Sequence, residues 1–546
     1  MAASPTLKPD PKPASAKPKL GLRAWMERVL AECDRAAEGF DADAVHDLRV
    51  ALRRCRSLAD GLMVLDPNPS WKDMKKAGKK LFQALGDLRD MQVMQEWIEK
   101  LGDANHPSDP AADRLLDHVH RREAECKQDA FKDLQQFDRK QWRQWSRSLP
   151  RRAARVRPGS VVYMHLALEK WTAAYDLHKH ALRSRSQVAW HELRIGIKRF
   201  RYTVENFLPR QHELWGDDLK ELQDLLGEVH DLDVLWSTAV EVKAFPDVES
   251  QRQWHEKLAA ERSRRIAKYR EKMVGRQSLW RAWRAELPSG AQLRTAALSR
   301  LRVWAGYLDP DFAHSQRVAQ LALLLYDGLK NEGLLTASVP VSEEDVLSKA
   351  ATPKRRPSSR VSPNHVSRDR DHDWRPILQA AAFMHDVGKA KKSVNHHKAS
   401  YRMIRKLERP LGLSAQELDL AAVVARYHRG ALPRPRRKTM EALELPLRPI
   451  AMEFSGILRL ANSLDPRNGS SRHQPESAPR LEVSAQDRVV TLRVSGYSAL
   501  DRSAEEIAAA RHLLETVLRQ PVLVRTLRTP PAAAKSATRP PTAANQ

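Results

Sequence analysis

Four short stretches hold the side chains best suited to chemistry. His314 opens "HSQRVAQLALLLYDGL" (314–329), and His385 with Asp386 closes the apolar run of "LQAAAFMHDVGKA" (378–390). His428 lies near the end of "SAQELDLAAVVARYHRG" (414–430), and Asp465 ends "LRLANSLD" (457–465). A histidine, an adjacent His-Asp pair and a distant aspartate offer the nitrogen and carboxylate ligands that Mg, Mn, Fe or Zn accepts. Such an ion polarises a phosphoryl oxygen and lowers the pKa of a bound water. The expected metal set is therefore His314, His385, Asp386 and Asp465, delivered by four helices. Ser414 and Glu417 form a capping-box pattern, so the third helix is expected to start there and to close on Gly430.

A second pattern is basic and occurs twice, as "VHDLRVALRRCR" (45–56) and "WHELRIGIKRFR" (190–201). At about 100° per residue, Leu48, Leu52, Cys55, Ala59 and Leu62 fall on one core stripe. Leu193, Ile197, Phe200, Val204 and Phe207 repeat that stripe at the same spacing. A separate face carries His46, Arg49, Arg53 and Arg56, repeated as His191, Arg194, Lys198 and Arg201 at i, i+3, i+7, i+10. Downstream, "LGDLRDMQVM" (85–94) matches "LGEVHDLDVL" (226–235), so the whole scaffold is duplicated. Acidic partners are scarce along the basic face, so its like charges repel unless an anion is present. Lys75, Lys76, Lys79 and Lys80 add a further basic face. A pseudo-two-fold helical bundle lining a groove for an extended polyanion is expected.

The elements that must hold these residues follow from composition. A chain of 546 residues is too long for one core, and a formal charge of +26 points to a polyanionic partner. Residues 1–20 and 528–546 are rich in Pro, Lys and Ala and read as disordered tails, and 331–373 reads as a disordered insertion. Twelve of the fourteen tryptophans precede residue 290, which sets the first half apart. The expected division is a mainly α chain: a helical bundle over 21–290, a helical domain over 298–479, and a small α+β element over 480–527 with strands in "RLEVSAQDRVVTLRV" and "QPVLVRT". The three cysteines lack any CxxC pairing, and no apolar run approaches membrane-spanning length, so a cytoplasmic protein without a membrane partner is expected.

The paired "HxLRVxxRRxR" and "HxLRIxxKRFRY" helices with their "LGxxxDxxVL" elements resemble the CHAD family over about 21–290. That resemblance implies a helical bundle of two pseudo-symmetric halves whose basic groove binds inorganic polyphosphate. Carried over by position, the groove residues would be His46, Arg49, Arg53, Arg56, Lys75, Lys79, His191, Arg194, Lys198, Arg201 and Tyr202. Nucleic acid competes as ligand, but strand binders add aromatics that stack bases. The stripes carry only Tyr202, so polyphosphate is favoured.

The ordered set His…His-Asp…Asp resembles the HD phosphohydrolases. More closely, "HDVGK…NHHKASYRMI…VVARYHRG…LRLANSLD" resembles the C-terminal part of the exopolyphosphatase and guanosine-pentaphosphate phosphatase family over about 298–527. In that family actin-like ATPase-type domains carry the exopolyphosphatase site. Here the bundle stands in their place, so that mechanism is not carried over. The resemblance to HD enzymes implies that Asp386 binds or bridges metal and that Lys389 neutralises a phosphate, with His396, His397 and His428 as candidates for a second metal. Two function classes stay open: an enzyme acting on polyphosphate or a phosphorylated nucleotide, and a granule-targeting or sensing protein that binds without turnover.

Overall fold

The computed structural model describes residues 21–40, 42–101, 109–335, 373–391, 394–465, 479–495, 497 and 503–527. The expected disordered tails, and nearly all of the expected insertion, lie outside these residues. The chain is mainly helical and divides between Ser289 and Gly290 into two compact units. No helix among the described residues is long and apolar enough to cross a membrane.

The first unit runs through α1 (Leu22–Gly39), α2 (Ala42–Leu62), α3 (Pro69–Ala77), α4 (Lys79–Leu101), α5 (Pro110–Gln135), α6 (Arg139–Ala153), α7 (Val161–Ser184), α8 (Gln187–Phe207), α9 (Pro209–Glu241), α10 (Val248–Met273) and α11 (Leu279–Ala285). The duplicated stripes lie on α2 and α8. Leu48, Leu52, Cys55 and Ala59 are fully buried, as are Leu193, Ile197, Phe200 and Val204. Full burial of a large apolar side chain is worth about 1.5–3 kcal/mol, so this stripe fixes how each helix is rotated and which residues it turns outward. Ser186 starts α8 by accepting from the Ala189 amide at 3.2 Å. Both α3 and α9 begin with proline at the first turn, where the missing N–H has no helical partner to lose.

Each duplicated helix packs on the one before it, α1 on α2 and α7 on α8, and α2 then packs on α8. Their join is close: a Cβ on Gly61 would stand 2.2 Å from the Phe207 ring. Arg54 pairs with Glu205 at 2.6 Å, and Asn206 donates to Ser57 at 3.0 Å across the same seam. The two "LGxxxD" elements lie on α4 and α9, which pack beside α2 and α8 respectively and touch each other.

The second unit comprises α12 (Gly290–Leu308), α13 (Phe312–Asn331), α14 (Arg375–Met384), a 3-10 turn (Val387–Ala390), α15 (His396–Ile404), α16 (Ala415–Arg426), α17 (Lys438–Glu441), α18 (Leu447–Leu464), β1 (Leu481–Gln486), β2 (Val489–Val494), α19 (Ser503–Leu518) and β3 (Val522–Thr526). α13, α14, α16 and α18 share one apolar core that includes Leu325, Ala381, Val424 and Ile457. The sheet order is β1-β2-β3, with β1 antiparallel and β3 parallel to β2. Ser414 and Glu417 close their capping box at 3.1 and 2.7 Å. The helix ends at Arg426 rather than running on to Gly430. There the Tyr427 amide closes the last turn on Val423 and Val424, and the His428 ring takes the Ala425 carbonyl.

Candidate polyanion groove and candidate metal centre

Between α2, α8 and α9 lies a cleft of about 270 Å³ lined by Arg49, Arg53, Arg194, Lys198, Tyr202, Asp224 and Asp231, among others. Its basic side chains come from both copies of the repeat, Arg49 and Arg53 from one and Arg194 and Lys198 from the other. The Nε atoms of Arg49 and Arg53 are buried and make no hydrogen bond. An unpaired buried donor costs about 1–3 kcal/mol, more when charged, which an anion would recover. Burial, with Arg194, Arg53 and Arg49 close by, pushes the Lys198 ammonium down to about 8. Cations crowded this way repel one another, and a bound anion would relieve that repulsion.

The other expected groove residues are placed differently. Arg56 donates to the Lys75 carbonyl at 2.6 Å and lies over the Phe82 ring, while Lys75 pairs with Asp60. Both are tied to α3 packing and do not line the cleft. His46 and Lys79 are exposed outside its lining. His191 faces His230 at 3.3 Å, and Arg201 lies over Tyr202. The "KK" pairs on the α3–α4 segment resemble a stripe in sequence, but their helices turn them elsewhere.

Residues the stripes did not reveal are acidic. α9 contributes Asp224, Glu228 and Asp231 to the cleft. Burial pushes the Asp231 carboxyl up to about 6; Asp90 on α4 and Glu228 add to the rise, while Arg194 and Arg89 oppose it. Asp90, its counterpart in the repeat, is raised by burial too. A carboxylate inside an anion groove repels the ligand until it takes a proton. Polyanion affinity should therefore rise as the pH falls from 8 through about 6. Asp231→Asn should flatten the part of that dependence centred near pH 6 and tighten binding at pH 8, as read by titration calorimetry, leaving the part near pH 8 where Lys198 gains its proton. His230, pushed down to about 4 by burial and Arg194, stays neutral across the window. The raised carboxyl also makes the fold gain stability as pH falls from about 6 towards 3.8.

In the second unit, His314, His385, Asp386, His396 and His428 converge, all of them buried. Two groups, His314–His385–Asp386 and Asp386–His396–His428, each hold their ligand atoms within 4.8 Å of one another and share Asp386. The His385 and His428 Nδ1 atoms donate to the Ala382 and Ala425 carbonyls at 2.6 and 2.8 Å. Burial holds both imidazoles below their ordinary pKa, so each is neutral; the His385 Nε2 keeps a bare lone pair, while the His428 Nε2 lies 3.2 Å from the His396 Nε2. The His385 Nε2 makes no hydrogen bond and lies 3.5 Å from Asp386 Oδ2, while His428 Nε2 lies 3.6 Å from Oδ1. Lone pairs facing a carboxylate repel. Burial alone would raise the Asp386 carboxyl, yet the hydrogen bond from His396 and the Lys389 ammonium hold it well below the usual range. This acceptor-rich, buried set fits a divalent cation, with Asp386 placed to bridge two.

Local structure secures the His-Asp turn. Ser400 Oγ donates to the His385 carbonyl at 2.7 Å and accepts from the Gly388 amide at 2.9 Å. A Cβ on Gly388 would stand 2.2 Å from the His396 carbonyl, so only glycine lets α15 approach this closely.

Three expected roles shift. Asp465 stands behind His314, accepting from its Nδ1 at 2.6 Å, and Arg317 grips its two oxygens at 2.7 and 2.9 Å. It holds the His314 ring in place and is absent from both groups. Arg317, three residues after His314 on the same helix, is a partner the sequence did not reveal. His397 belongs to neither group and packs against Gly430. Lys389 is paired with Asp386, supplying a positive charge at that edge instead of standing open to a phosphate.

Comparison with known proteins divides the chain in the same way. Residues 21–240 match the CHAD domain, and residues 359–503 match domain III of the Ppx/GppA phosphatases. The crystal structure of the CHAD domain from the plant Ricinus communis is similar at 23% identity, covering 48% of this chain and 88% of that one with a TM-score of 0.32. No curated protein matches the chain.

Proposed function

We propose, from a chain that joins a CHAD domain to a unit matching domain III of the Ppx/GppA phosphatases, that the protein binds inorganic polyphosphate in the α2–α8 cleft and hydrolyses a phosphorylated substrate at a divalent-metal centre around Asp386. The observation that carries the binding half is the pair of buried, unpartnered Arg49 and Arg53 guanidinium nitrogens facing Arg194 and Lys198 across the repeat. The unpartnered His385 Nε2 beside a buried carboxylate, and the two histidine groups that share Asp386, support the metal. Nitrogen-rich ligation favours Fe or Zn over Mg. A bound metal there would polarise a phosphoryl oxygen and activate water. The chain's own groups then hold the charges in place. Asp465 fixes the His314 ring, Ser400 fixes the His-Asp turn, and Lys389 holds the Asp386 carboxylate ionised. The substrate is polyphosphate or a phosphorylated nucleotide; the alternative reading, polyphosphate binding at granules without turnover, keeps the groove and drops the chemistry. Phosphate release from polyphosphate and from guanosine polyphosphates, measured with and without Mn, tests it. Release that depends on the metal supports hydrolysis, and none from either substrate with metal bound leaves the binding-only reading.

A further inference from the structure

Beside the metal centre, the sequence "YHRGALPRPRRK" (427–438) carries five basic residues and no acidic one. Its start is locked in place: Arg459 donates to the Tyr427 and Gly430 carbonyls at 3.3 and 2.6 Å. Gly430 is left-handed at φ 76 and abuts the His397 ring. Around that ring gather Arg426, Arg429 and Lys398, and next to Arg426 stand Arg402 and Arg437. Among the described residues, none of these five cations has an ion-pair partner. Two polar atoms at the centre of the cluster are buried without a hydrogen bond, Arg426 Nη1 and the Nδ1 of His397, a residue 7% exposed. A group of cations held this close, with orphaned polar atoms at its middle, is stabilised by an anion of several charges.

We infer that this cluster is a second anion site, which takes the inorganic oligophosphate chain of the substrate at the metal centre on α15 and α16. The inference rests on the hydrolytic reading and narrows its substrate. His397 sits next in sequence to His396, and Arg429 next to His428, so the site adjoins the metal-compatible group directly. A nucleoside would need an open ring to stack on, and the two tyrosines here offer none. Arg426 covers Tyr427, which is itself buried with its hydroxyl on Thr439, and Arg405 covers Tyr401. A chain of phosphoryl groups needs only charge and N–H donors, which is what the cluster supplies. The α2–α8 cleft and this site would then hold separate segments of polymer.

The test uses the full chain with the cleft disabled by Arg49→Ala, Arg53→Ala, Arg194→Ala and Lys198→Ala, free of metal, with tripolyphosphate and adenosine triphosphate as probes in titration calorimetry. Tripolyphosphate should still bind, at least as tightly as the nucleotide. Adding Arg426→Gln or Arg429→Gln should weaken it at least tenfold. Arg429 is exposed, so its variant reads the site even where Arg426→Gln disturbs the fold. Loss of all binding with the cleft disabled, residual binding indifferent to both arginines, or tighter binding of the nucleotide would each overturn the inference. Because binding is read without turnover, arginine-dependent binding in a protein that releases no phosphate sinks the hydrolytic reading alone. Hydrolysis untouched by the arginine variants sinks this one alone.

Discussion

Charge reversal at Arg49 and Arg194 together should weaken long-chain polyphosphate binding by at least about 100-fold, since each charged hydrogen bond lost is worth ~1.5–3 kcal/mol and tenfold in affinity is about 1.4. The two residues stand in equivalent positions of the repeat and line one cleft, so removing both strips the site from each half. The logarithmic dependence on salt should flatten as well, because fewer counterions are displaced when fewer cations meet phosphate. Lys79→Glu is the informative control. It changes the net charge equally per site, yet Lys79 is exposed outside the cleft lining. Its effect should stay within about threefold, the range of a screened surface charge. Glutamates placed near Asp90 and Asp231 could disturb the fold, so Arg49→Gln with Arg194→Gln serves as a second pair, checked by thermal melting. If Lys79→Glu costs as much as the paired arginine change, binding follows net charge and the cleft is not the site. Equal affinity for single-stranded DNA of matched charge would instead defeat polyphosphate as the preferred ligand.

What the sequence could show depended on periodicity. The core stripes of α2 and α8 were legible because five apolar residues at helical spacing, repeated in a second copy, leave one way to bury them, and all ten are buried. The arginines opposite them followed from the same geometry. The acidic lining did not, since Asp231 and Asp224 belong to α9, and which face of a third helix closes a cleft is decided by packing. Lys75 and Arg56 show the converse: a basic residue at stripe spacing can still be spent on a local carboxylate or carbonyl. In the second unit, the histidines were legible as residue types in an ordered set. Their division into two groups about Asp386 was not, because it depends on ring orientation set by the Ala382 and Ala425 carbonyls. Asp465 was read as a ligand because nothing in the spacing reveals that Arg317 holds both of its oxygens. The basic loop after His428 went unread because it has no helical period, and only its junction with His397 gives it meaning.

Asp386→Ala should abolish phosphate release from every substrate and leave polyphosphate affinity unchanged, because Asp386 and the α2–α8 cleft belong to different compact units. It is the one ligand common to both metal-compatible groups, so its removal should also lower the metal content of the purified protein while helicity stays. Cleft variants should behave in the opposite way. A groove that holds a polymer raises the concentration of its segments near a tethered site, an effect that can reach 10²–10⁴ without new contacts. Losing it should raise the KM for long chains by roughly that order at its lower end, with kcat little changed. Turnover of tripolyphosphate, a three-phosphate chain that gains little from tethering, should barely move. Steady-state kinetics on the two chain lengths with the Arg49/Arg194 variant reads the tethering effect, and elemental analysis with polyphosphate titration of Asp386→Ala reads the rest. Equal loss on long and short substrates would mean that the cleft acts through the fold rather than by tethering. Unchanged KM for long chains would mean that the two units handle polyphosphate independently, and the fusion would then need a different reason.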